Sequence, residues 1–314
     1  MNKKDQPLVS VIMNCYNGEK YLRQAIDSIY AQTYENWEII FWDNCSTDRS
    51  AEIAKSYIGK LKYFKGNKYV PLGAARKKAV EKAAGKWIGF LDTDDLWDPN
   101  KLSVQIEAID NNNYILCYAG VHVIKPSGDL IHTYIPQYKS GYMLADQLLQ
   151  FDINMVTPLV NKKLMDNNSI TFEKEITASE EYNLFLRLMA KGKVCVIPKV
   201  LGTVRISEGT TTDREIKNWA KERFFTLEQL KKENPRIELI FPEEFQEAHA
   251  RGVYYKARYL MSKKKYRLAS KELKSISLRN KKYFILYICS FIPALWKLIS
   301  NPVIKRRLTQ KLLG

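Results

Sequence analysis

The chain has 314 residues, of which 46% are hydrophobic and 12% aromatic. This composition excludes an intrinsically disordered protein, and the length allows one large domain or two modest domains with a real core. The five cysteines show neither metal-ligand spacing nor a paired pattern, and the first residues lack the apolar stretch of a signal peptide. We therefore expect a protein of the reducing cytoplasm.

The positive charge of the chain is concentrated at one end. The formal net charge is +16, and residues 251–314 contain 17 of the 50 Lys and Arg residues but one acidic residue, Glu272. Acidic and basic residues are balanced over residues 1–250. This distribution argues against a protein that coats nucleic acid and predicts one basic surface formed by the C-terminal fifth.

Strands alternate with helices over the first 110 residues. Apolar runs predict strands, and amphipathic segments between them predict helices. The predicted strands are 8–13, 37–42, 61–65 and 87–91, and the helices are 21–32, a segment ending near 58, 71–84, and one starting at Asp98-Pro99. Such alternation is typical of βαβ units in a mostly parallel sheet. Polar clusters follow the strands at their carboxyl ends, where open α/β sheets bind ligands.

The pattern changes after residue 111. Strands at 115–123 and 130–135 are predicted to form a β-hairpin around Lys125-Pro126-Ser127-Gly128. A strand at 157–160, a helix at 179–190, an extended segment at 194–204 and a helical remainder follow. The predicted division is therefore an α/β domain over residues 1–212 and a basic helical region over residues 213–314.

The most distinctive stretch is residues 87–97, WIGFLDTDDLW. A buried strand runs directly into Asp92, Asp94 and Asp95, and carboxylates crowded at a strand end repel one another unless a cation is near. Carboxylate oxygens suit Mg²⁺ or Mn²⁺, and Mg²⁺ is usually shared with substrate phosphates. The alternative from these residues alone is a solvated loop followed by a helix that Asp98 caps.

Three ordered segments of the sequence form a recognisable set. The first begins with VSVIMNCYNG and ends with DNCSTD over residues 9–48, the second is LGAARKKAVEKAAGKWIGFLDTDDLW over residues 72–97, and the third is SEEYNLFLRL over residues 179–188. Together they resemble family 2 glycosyltransferases with a GT-A fold. The resemblance implies a Rossmann-like α/β fold and an inverting sugar transfer from a nucleotide-diphosphate donor. It also implies a divalent metal, Mn²⁺ or Mg²⁺, and a UDP-sugar as the expected donor.

The resemblance assigns donor contacts to five residues. It implies that Asn14 and Tyr16 pack on the nucleotide base and that Asp43 positions the loop after the second strand. The family's second acid in an Asp-Asp-x-Ser motif contacts the base, but here Asn44 stands at that position. An amide both donates and accepts hydrogen bonds, so the identity of the base stays open. Arg76 is implied either to neutralise the diphosphate or to hold a loop.

The metal and the general base follow from the other two segments. Asp94 is implied to meet the ribose or the metal, and Asp95 is implied to coordinate the metal. The family's base is the second acid of a Glu-Asp pair just inside a helix, and the matching pair here is Glu180-Glu181. Glu181 is therefore implied to deprotonate the acceptor hydroxyl. From the residues alone, both acids could instead simply favour the positive end of the helix dipole.

Two functional hypotheses remain open. The family's common roles imply an enzyme that extends a surface glycan, such as lipopolysaccharide or capsule, on a glycan or lipid-linked glycan acceptor. Departures from the family pattern at Asn44, Lys77 and Glu181 keep a second hypothesis open, a non-catalytic scaffold that docks a membrane glycan-assembly complex. A nucleotidyltransferase is less consistent with the sequence, because residues 14–20 do not form a Gly-rich, basic phosphate loop.

The most apolar run of the chain lies near its C-terminus, at residues 283–300, YFILYICSFIPALWKLIS. A spanning helix needs about 20 apolar residues, and this shorter run contains Pro293 and Lys297. Basic flanks and Trp296 suit a helix that lies in the interface of an anionic membrane. We expect peripheral attachment to the inner face of the cell membrane. The alternative is a helix that packs on the catalytic domain.

Overall fold

The structure, a computed structural model, describes residues 6–109, 113–206 and 216–300. Nine strands of this part form one mixed sheet. They are β1 (Val9–Cys15), β2 (Trp37–Asp43), β3 (Leu61–Lys65), β4 (Trp87–Phe90), β5 (Leu96–Trp97), β6 (Tyr114–Ile124), β7 (Leu130–Tyr134), β8 (Leu159–Asn161) and β9 (Lys193–Arg205). Their order in the sheet is β3-β2-β1-β4-β8-β6-β9-β5, and β7 pairs with β6 beside this path.

The helices of the described part cover both faces of the sheet and form the C-terminal region. They are α1 (Glu19–Tyr30), α2 (Ser50–Lys55), α3 (Leu72–Val80), α4 (Lys101–Ile109), α5 (Leu144–Leu149), α6 (Lys162–Asn167), α7 (Glu180–Met189), α8 (Ile216–Glu233), α9 (Ile237–Ile240), α10 (Pro242–Ser262), α11 (Tyr266–Lys274), α12 (Lys281–Cys289) and α13 (Pro293–Ser300). The predicted α/β fold with a helical C-terminal region is confirmed.

The first four strands are parallel, as their alternation with helices predicts. β1 and β2 are buried along their whole length, which explains why both are predominantly apolar in sequence. The register pairs Asn14 with Trp42 and Cys15 with Asp43, and Ile12 with Phe90 on the other side of β1. The polar residues that follow β1, β2 and β4 therefore gather at one edge of the sheet.

Two local predictions need adjustment. The predicted hairpin is present, with the N–H of Lys125 donating to the carbonyl of Asp129 at 2.9 Å. The helix predicted to start at Pro99 begins at Lys101 instead. The Asp98 carboxylate accepts a hydrogen bond from the N–H of Asn100 at 2.9 Å, so it forms an Asx turn two residues ahead of the helix.

The hydrophobic core does not stop where the sheet stops. Side chains of α8 and α10, among them Leu227, Leu230 and Phe245, belong to the same buried cluster as Ile12 and Ile40 of the sheet. A separate cluster begins at Ala250 and includes buried side chains up to α13. The domain boundary predicted between residues 212 and 213 stays a prediction, and apolar packing of the first unit extends past it to Ala248.

The apolar run at 283–300 forms two short helices rather than one. No helix in the described part of the chain is both long enough and apolar enough to cross a membrane. Tyr283 and Trp296 are buried in the C-terminal cluster, and the Trp296 ring lies 6.3 Å from that of Tyr254. Trp296 thus packs on the protein, whereas the sequence placed it at a membrane interface. The exposed apolar side chains of this region are Phe284, Ile285, Ile288, Phe291, Ile292 and Leu298.

Candidate active site

Arg76 of α3 joins the acidic loop after β4 to the start of α7. Its Nη2 donates to Asp92 Oδ1 at 2.7 Å, and its Nη1 donates to Glu180 Oε1 at 2.8 Å. Burial lowers the pKa of the Arg76 guanidinium, but Asp92 and Glu180 together raise this pKa above its ordinary value. Arg76 is therefore a buried, permanently charged bridge, and these contacts match the loop-holding role among its two predicted roles.

Glu181 lies beside this bridge, in the first turn of α7. Glu180 is buried and paired with Arg76, whereas Glu181 is partly exposed, and no other described side chain forms a hydrogen bond with its carboxylate. Burial and then the negative charge of Glu180 raise the pKa of Glu181 to about 8. A partly exposed carboxyl with a pKa near the working pH is well suited to accept a proton.

The acidic loop after β4 is crowded. Asp95 is buried, and its Oδ1 accepts a hydrogen bond from the N–H of Arg205 at 2.9 Å. Burial and then the charges of Asp92 and Asp94 raise the pKa of Asp95 well above its ordinary value. Burial and Asp92 also raise the pKa of Asp94. A cation at this loop would relieve the repulsion that these shifts express.

The donor set of the loop fits a hard divalent cation that is shared with a substrate. Within residues 6–109, 113–206 and 216–300, no three or more His, Cys, Asp or Glu side chains form a metal site by themselves. A cation such as Mg²⁺ needs only one or two carboxylates when substrate phosphates complete its shell. Asp94 and Asp95 provide such oxygens, and Asp95 Oδ2 has no protein donor among the described residues.

Asn14 and Tyr16 have free binding capacity at the end of β1. Asn14 is buried, and among the residues that the structure describes neither the oxygen nor the nitrogen of its carboxamide has a hydrogen-bond partner. An unpaired buried amide costs free energy, so a ligand group that pairs with it gains affinity. The Tyr16 ring is 54% exposed and packs edge-on against the Tyr69 ring at 4.7 Å. These features suit contact with a planar, polar base.

Asp43 and Asn44 are occupied by contacts within the protein. Asp43 accepts hydrogen bonds from the Ser46 N–H at 2.7 Å and from the Tyr63 hydroxyl at 2.6 Å. The Asn44 amide donates to the Val70 carbonyl at 2.7 Å and accepts from the Val70 N–H at 3.2 Å. These two bonds join Asn44 to the segment at Val70, so its present contacts position a loop.

Arg205 is a part of the site to which the sequence assigned no role. Its Nε donates to the Asp94 carbonyl at 3.2 Å, and its guanidinium lies 4.3 Å from the ring centre of Tyr21. It also donates to the Pro126 carbonyl in the hairpin turn and to the Gln24 side chain. Its position at the end of β9 was visible in the sequence, but its partners are far away along the chain.

A GT-A type sheet with an acidic loop at its edge defines a class of nucleotide-sugar transferases, and comparisons with known proteins identify the family. The profile described as Glycosyl transferase family 2 matches residues 10–161. An uncharacterised glycosyltransferase of Methanocaldococcus jannaschii is 32% identical over 239 residues, which cover 72% of this chain and 80% of that protein. The chain belongs to glycosyltransferase family 2.

Other curated relatives differ in how much of their length they share. An uncharacterised glycosyltransferase of Rickettsia conorii is 32% identical over 206 residues, which cover 65% of this chain but 34% of that protein. This match therefore spans about a third of the longer relative. The Escherichia coli protein WfgD, named UDP-Glc:alpha-D-GlcNAc-diphosphoundecaprenol beta-1,3-glucosyltransferase, is 29% identical over 227 residues, which cover 69% of this chain and 85% of WfgD.

The fold matches solved structures over nearly the whole chain. The crystal structure of S. aureus TarS 1-349 in complex with UDP-GlcNAc aligns with a TM-score of 0.66 at 16% identity. This alignment covers 95% of this chain and 91% of the TarS chain. At such low identity the likeness shows the fold alone.

Proposed function

We propose that the protein is an inverting glycosyltransferase that moves a sugar from a nucleotide-diphosphate donor to an acceptor hydroxyl. The bridge from Asp92 through Arg76 to Glu180 carries this proposal. It joins the start of α7, which carries Glu181, to the acidic loop, although Arg76 and Glu180 are 104 positions apart in the sequence. A base and an acidic loop for the donor then lie together at the carboxyl edge of the sheet, where α/β proteins bind ligands.

Glu181 acts on the acceptor. Its carboxylate takes the proton of the acceptor hydroxyl while the hydroxyl oxygen attacks the anomeric carbon from the face opposite the leaving group. A new carbon–oxygen bond forms as the bond to the diphosphate breaks, and the electron pair leaves with the nucleoside diphosphate. General-base help of this kind contributes ~10²–10⁴-fold to the rate.

The donor lies along the ends of β1 and β4. Tyr16 and the unpaired amide of Asn14 meet the base, with UDP as the expected nucleotide, while Asp43 and Asn44 shape the loop below it. Asp94 and Asp95 hold a divalent metal, Mn²⁺ or Mg²⁺, which supplies neutralisation of the negative charge on the diphosphate. Support for a UDP-sugar comes from the names of WfgD and of the TarS complexes, and support for the metal comes from the crowded carboxylates.

The acceptor belongs to surface-glycan synthesis and is a glycan or a lipid-linked glycan. Support comes from the name of WfgD, whose acceptor is a diphosphoundecaprenol-linked sugar. A lipid-linked acceptor also explains the exposed apolar face of α12 and α13, which we propose attaches the protein to the inner, anionic face of the membrane. Six apolar side chains are exposed on these helices and the connecting turn, within the most basic fifth of the sequence.

A nucleotide-release assay tests the proposed reaction against the non-catalytic alternative. The purified chain is incubated with a panel of UDP-sugars, with and without Mn²⁺ or Mg²⁺, and release of UDP is measured. An enzyme releases UDP from at least one donor in a metal-dependent way, and Glu181→Gln abolishes the release. A scaffold would bind a nucleotide-sugar, shown by thermal stabilisation, without releasing UDP from any donor.

A further inference from the structure

The segment that leads into α7 is held by one residue from α8. Residues 168–179 contain neither helix nor strand. Glu222, which is buried on α8, accepts four hydrogen bonds from the end of this segment. The N–H of Thr177 donates to Oε1 at 2.8 Å and its hydroxyl at 2.9 Å, while the N–H of Ala178 donates to Oε2 at 3.1 Å and the Ser179 hydroxyl at 2.7 Å.

The chemistry of this contact makes it specific. A buried carboxylate loses its hydrogen bonds to water. In Glu222 these bonds are replaced by bonds from neutral donors, because no Lys or Arg among the described residues pairs with it. Hydrogen bonds to a charged acceptor are about twice as strong as bonds between neutral groups. Two donors on each oxygen also fix the orientation of the segment. The carboxylate therefore determines where the backbone of Thr177 and Ala178 lies.

Neighbouring residues of α8 contact the first turn of α7 at the two positions that follow Glu181. Arg223 donates from Nη1 to the Tyr182 hydroxyl at 2.7 Å. The amide of Asn183 donates to the Thr226 hydroxyl at 3.1 Å. Glu181 thus lies at the start of α7, and contacts from α8 determine where α7 begins. α8 lies outside residues 10–161, which the family profile matches.

We propose that Glu222 is a positioning residue for the base. Through residues 177–179 it fixes the residue at which α7 begins and so places the Glu181 carboxylate against the acceptor hydroxyl. Glu222 touches neither the donor nor the acceptor. Because it acts through Glu181, this role rests on the proposed function.

Glu222→Gln tests this role. The variant keeps the size of the side chain but replaces one acceptor oxygen with an NH₂ group, which cannot accept the hydrogen bonds of the segment. Misplacement of a reacting group by about 1 Å can cost ~10²-fold in rate, so kcat is expected to fall by at least ~10-fold. The dissociation constant of the donor is expected to stay within about twofold, because the donor residues are elsewhere. Hydrogen exchange of the amides at 177–179 is expected to become faster.

Two control variants separate positioning from general loss of stability. Glu233→Gln changes the contact of α8 with Arg187 near the other end of α7 and leaves residues 177–179 untouched. Glu228→Gln makes the same chemical change on the exposed side of α8, where Glu228 pairs with Lys231. Both variants are expected to keep kcat within about twofold of the wild type, even where Glu233→Gln lowers the melting temperature as much as Glu222→Gln does.

The outcomes are distinguishable from failure of the proposed function. A Glu222→Gln variant with normal kcat overturns the role, and so does a Glu233→Gln variant that loses as much activity at equal stability. Glu181→Gln is measured in parallel, and near-normal transfer by that variant would reject Glu181 as the base. Hydrogen exchange of the amides at 177–179 would then still show whether Glu222 orders this segment. If Glu222→Gln does not fold, Ser179→Ala removes a single donor, and its kcat must fall by a smaller factor with unchanged donor affinity.

Discussion

Asn14, Glu181 and Asp95 share a property that marks them at the scale of single residues. Each has a polar group in an unfavourable environment. The amide of Asn14 has no hydrogen-bond partner among the described residues, and the carboxyl pKa values of Glu181 and Asp95 are raised. Such placements cost stability in the free protein and are relieved by substrate, proton or cation. Substitutions at these positions should therefore separate activity from stability.

Glu181→Gln is expected to bind donor normally and to transfer at least ~10²-fold more slowly, because an amide cannot accept the acceptor's proton. In the proposed mechanism, only the deprotonated carboxylate of the wild type is active. Because the pKa of Glu181 is raised to about 8, kcat/KM for the acceptor is expected to rise with pH up to that value. Steady-state rates across pH measure both effects. A pH-independent rate between about 6 and 9 would show that another group is the base.

The same variant is expected to gain stability at alkaline pH. The folded state holds the Glu181 proton up to a pKa of about 8, whereas the unfolded chain releases it near the ordinary value of 4.5. Ionisation between these two values therefore favours unfolding, so wild-type stability falls over this window. Glu181→Gln cannot ionise. Its melting temperature is expected to exceed that of the wild type by ~2 °C or more near pH 9 and to match it near pH 4, as measured by calorimetry.

Asp95→Asn is expected to abolish metal-dependent donor binding while the protein stays folded. The amide oxygen can still accept from the Arg205 N–H, but the charge that attracts a hard cation is lost. Titration calorimetry of UDP with Mn²⁺ measures the effect. Asp98→Asn is the matched control, since Asp98 is a nearby acid whose carboxylate only forms an Asx turn. Unchanged affinity in Asp95→Asn would remove Asp95 from the metal site.

At the scale of elements, the site is built where short contacts join segments distant in sequence. The side chain of Arg205 connects the end of β9 to the acidic loop, to the β6–β7 hairpin turn and to α1. Arg76 connects the acidic loop to α7, and Glu222 connects α8 to the segment before α7. Each connection uses a buried charged side chain with several hydrogen bonds, which favours one arrangement of rigid elements.

Arg205→Lys is expected to weaken donor binding by ~10-fold and to leave kcat nearly unchanged at saturation, because it loosens the acidic loop rather than the base. Lys retains the charge but not the planar fork that reaches the Asp94 and Pro126 carbonyls at once. Initial rates at varied donor concentration measure the effects on KM and on kcat separately. Normal donor affinity in Arg205→Lys together with a loss in Arg205→Met would show that only the positive charge matters, and an unchanged KM in both would exclude a role in the site.

At the scale of the whole molecule, two hydrophobic clusters meet along α10. Phe245 and Ala248 pack with the sheet, while Ala250 and Val253 begin the C-terminal cluster. The last two described helices, α12 and α13, are called the tail here. They bury Tyr283 and Trp296 in this second cluster and leave their other face exposed. Deletion of the tail would therefore expose core side chains, so substitutions on the outer face are the cleaner probe of membrane attachment.

The Phe284→Ser, Phe291→Ser double variant is expected to lose binding to phosphatidylglycerol vesicles, since each exposed Phe that enters the interface contributes roughly 1.5–3 kcal/mol of burial. The wild type is expected to sediment with these vesicles at low salt and less with phosphatidylcholine vesicles, because basic residues contribute about 1 kcal/mol each near an anionic surface. Leu239→Ser, which changes a more exposed apolar residue outside α12 and α13, is expected to bind like the wild type.

Two results would contradict membrane attachment. Wild-type protein that ignores anionic vesicles at low salt would show that the tail face binds no such surface. Equal loss of binding in the double variant and in Leu239→Ser would show that vesicle binding does not depend on this face. Transfer to a soluble acceptor should be unaffected in the double variant, because both substituted side chains are exposed and lie in a region whose buried residues form a cluster separate from that of the sheet.

The parallel strands, the acidic loop at a strand end and the location of the positive charge could be read from the sequence. They follow from hydrophobic periodicity and from composition, which are local properties of the chain, whereas the family was indicated by the resemblance of three ordered segments. Tertiary structure alone decided that Asn44 pairs with Val70, that Trp296 is buried and that Glu222 holds the segment before the base. These outcomes depend on hydrogen bonds and packing between residues 26 to 45 or so positions apart, for which neighbouring residues carry no signal.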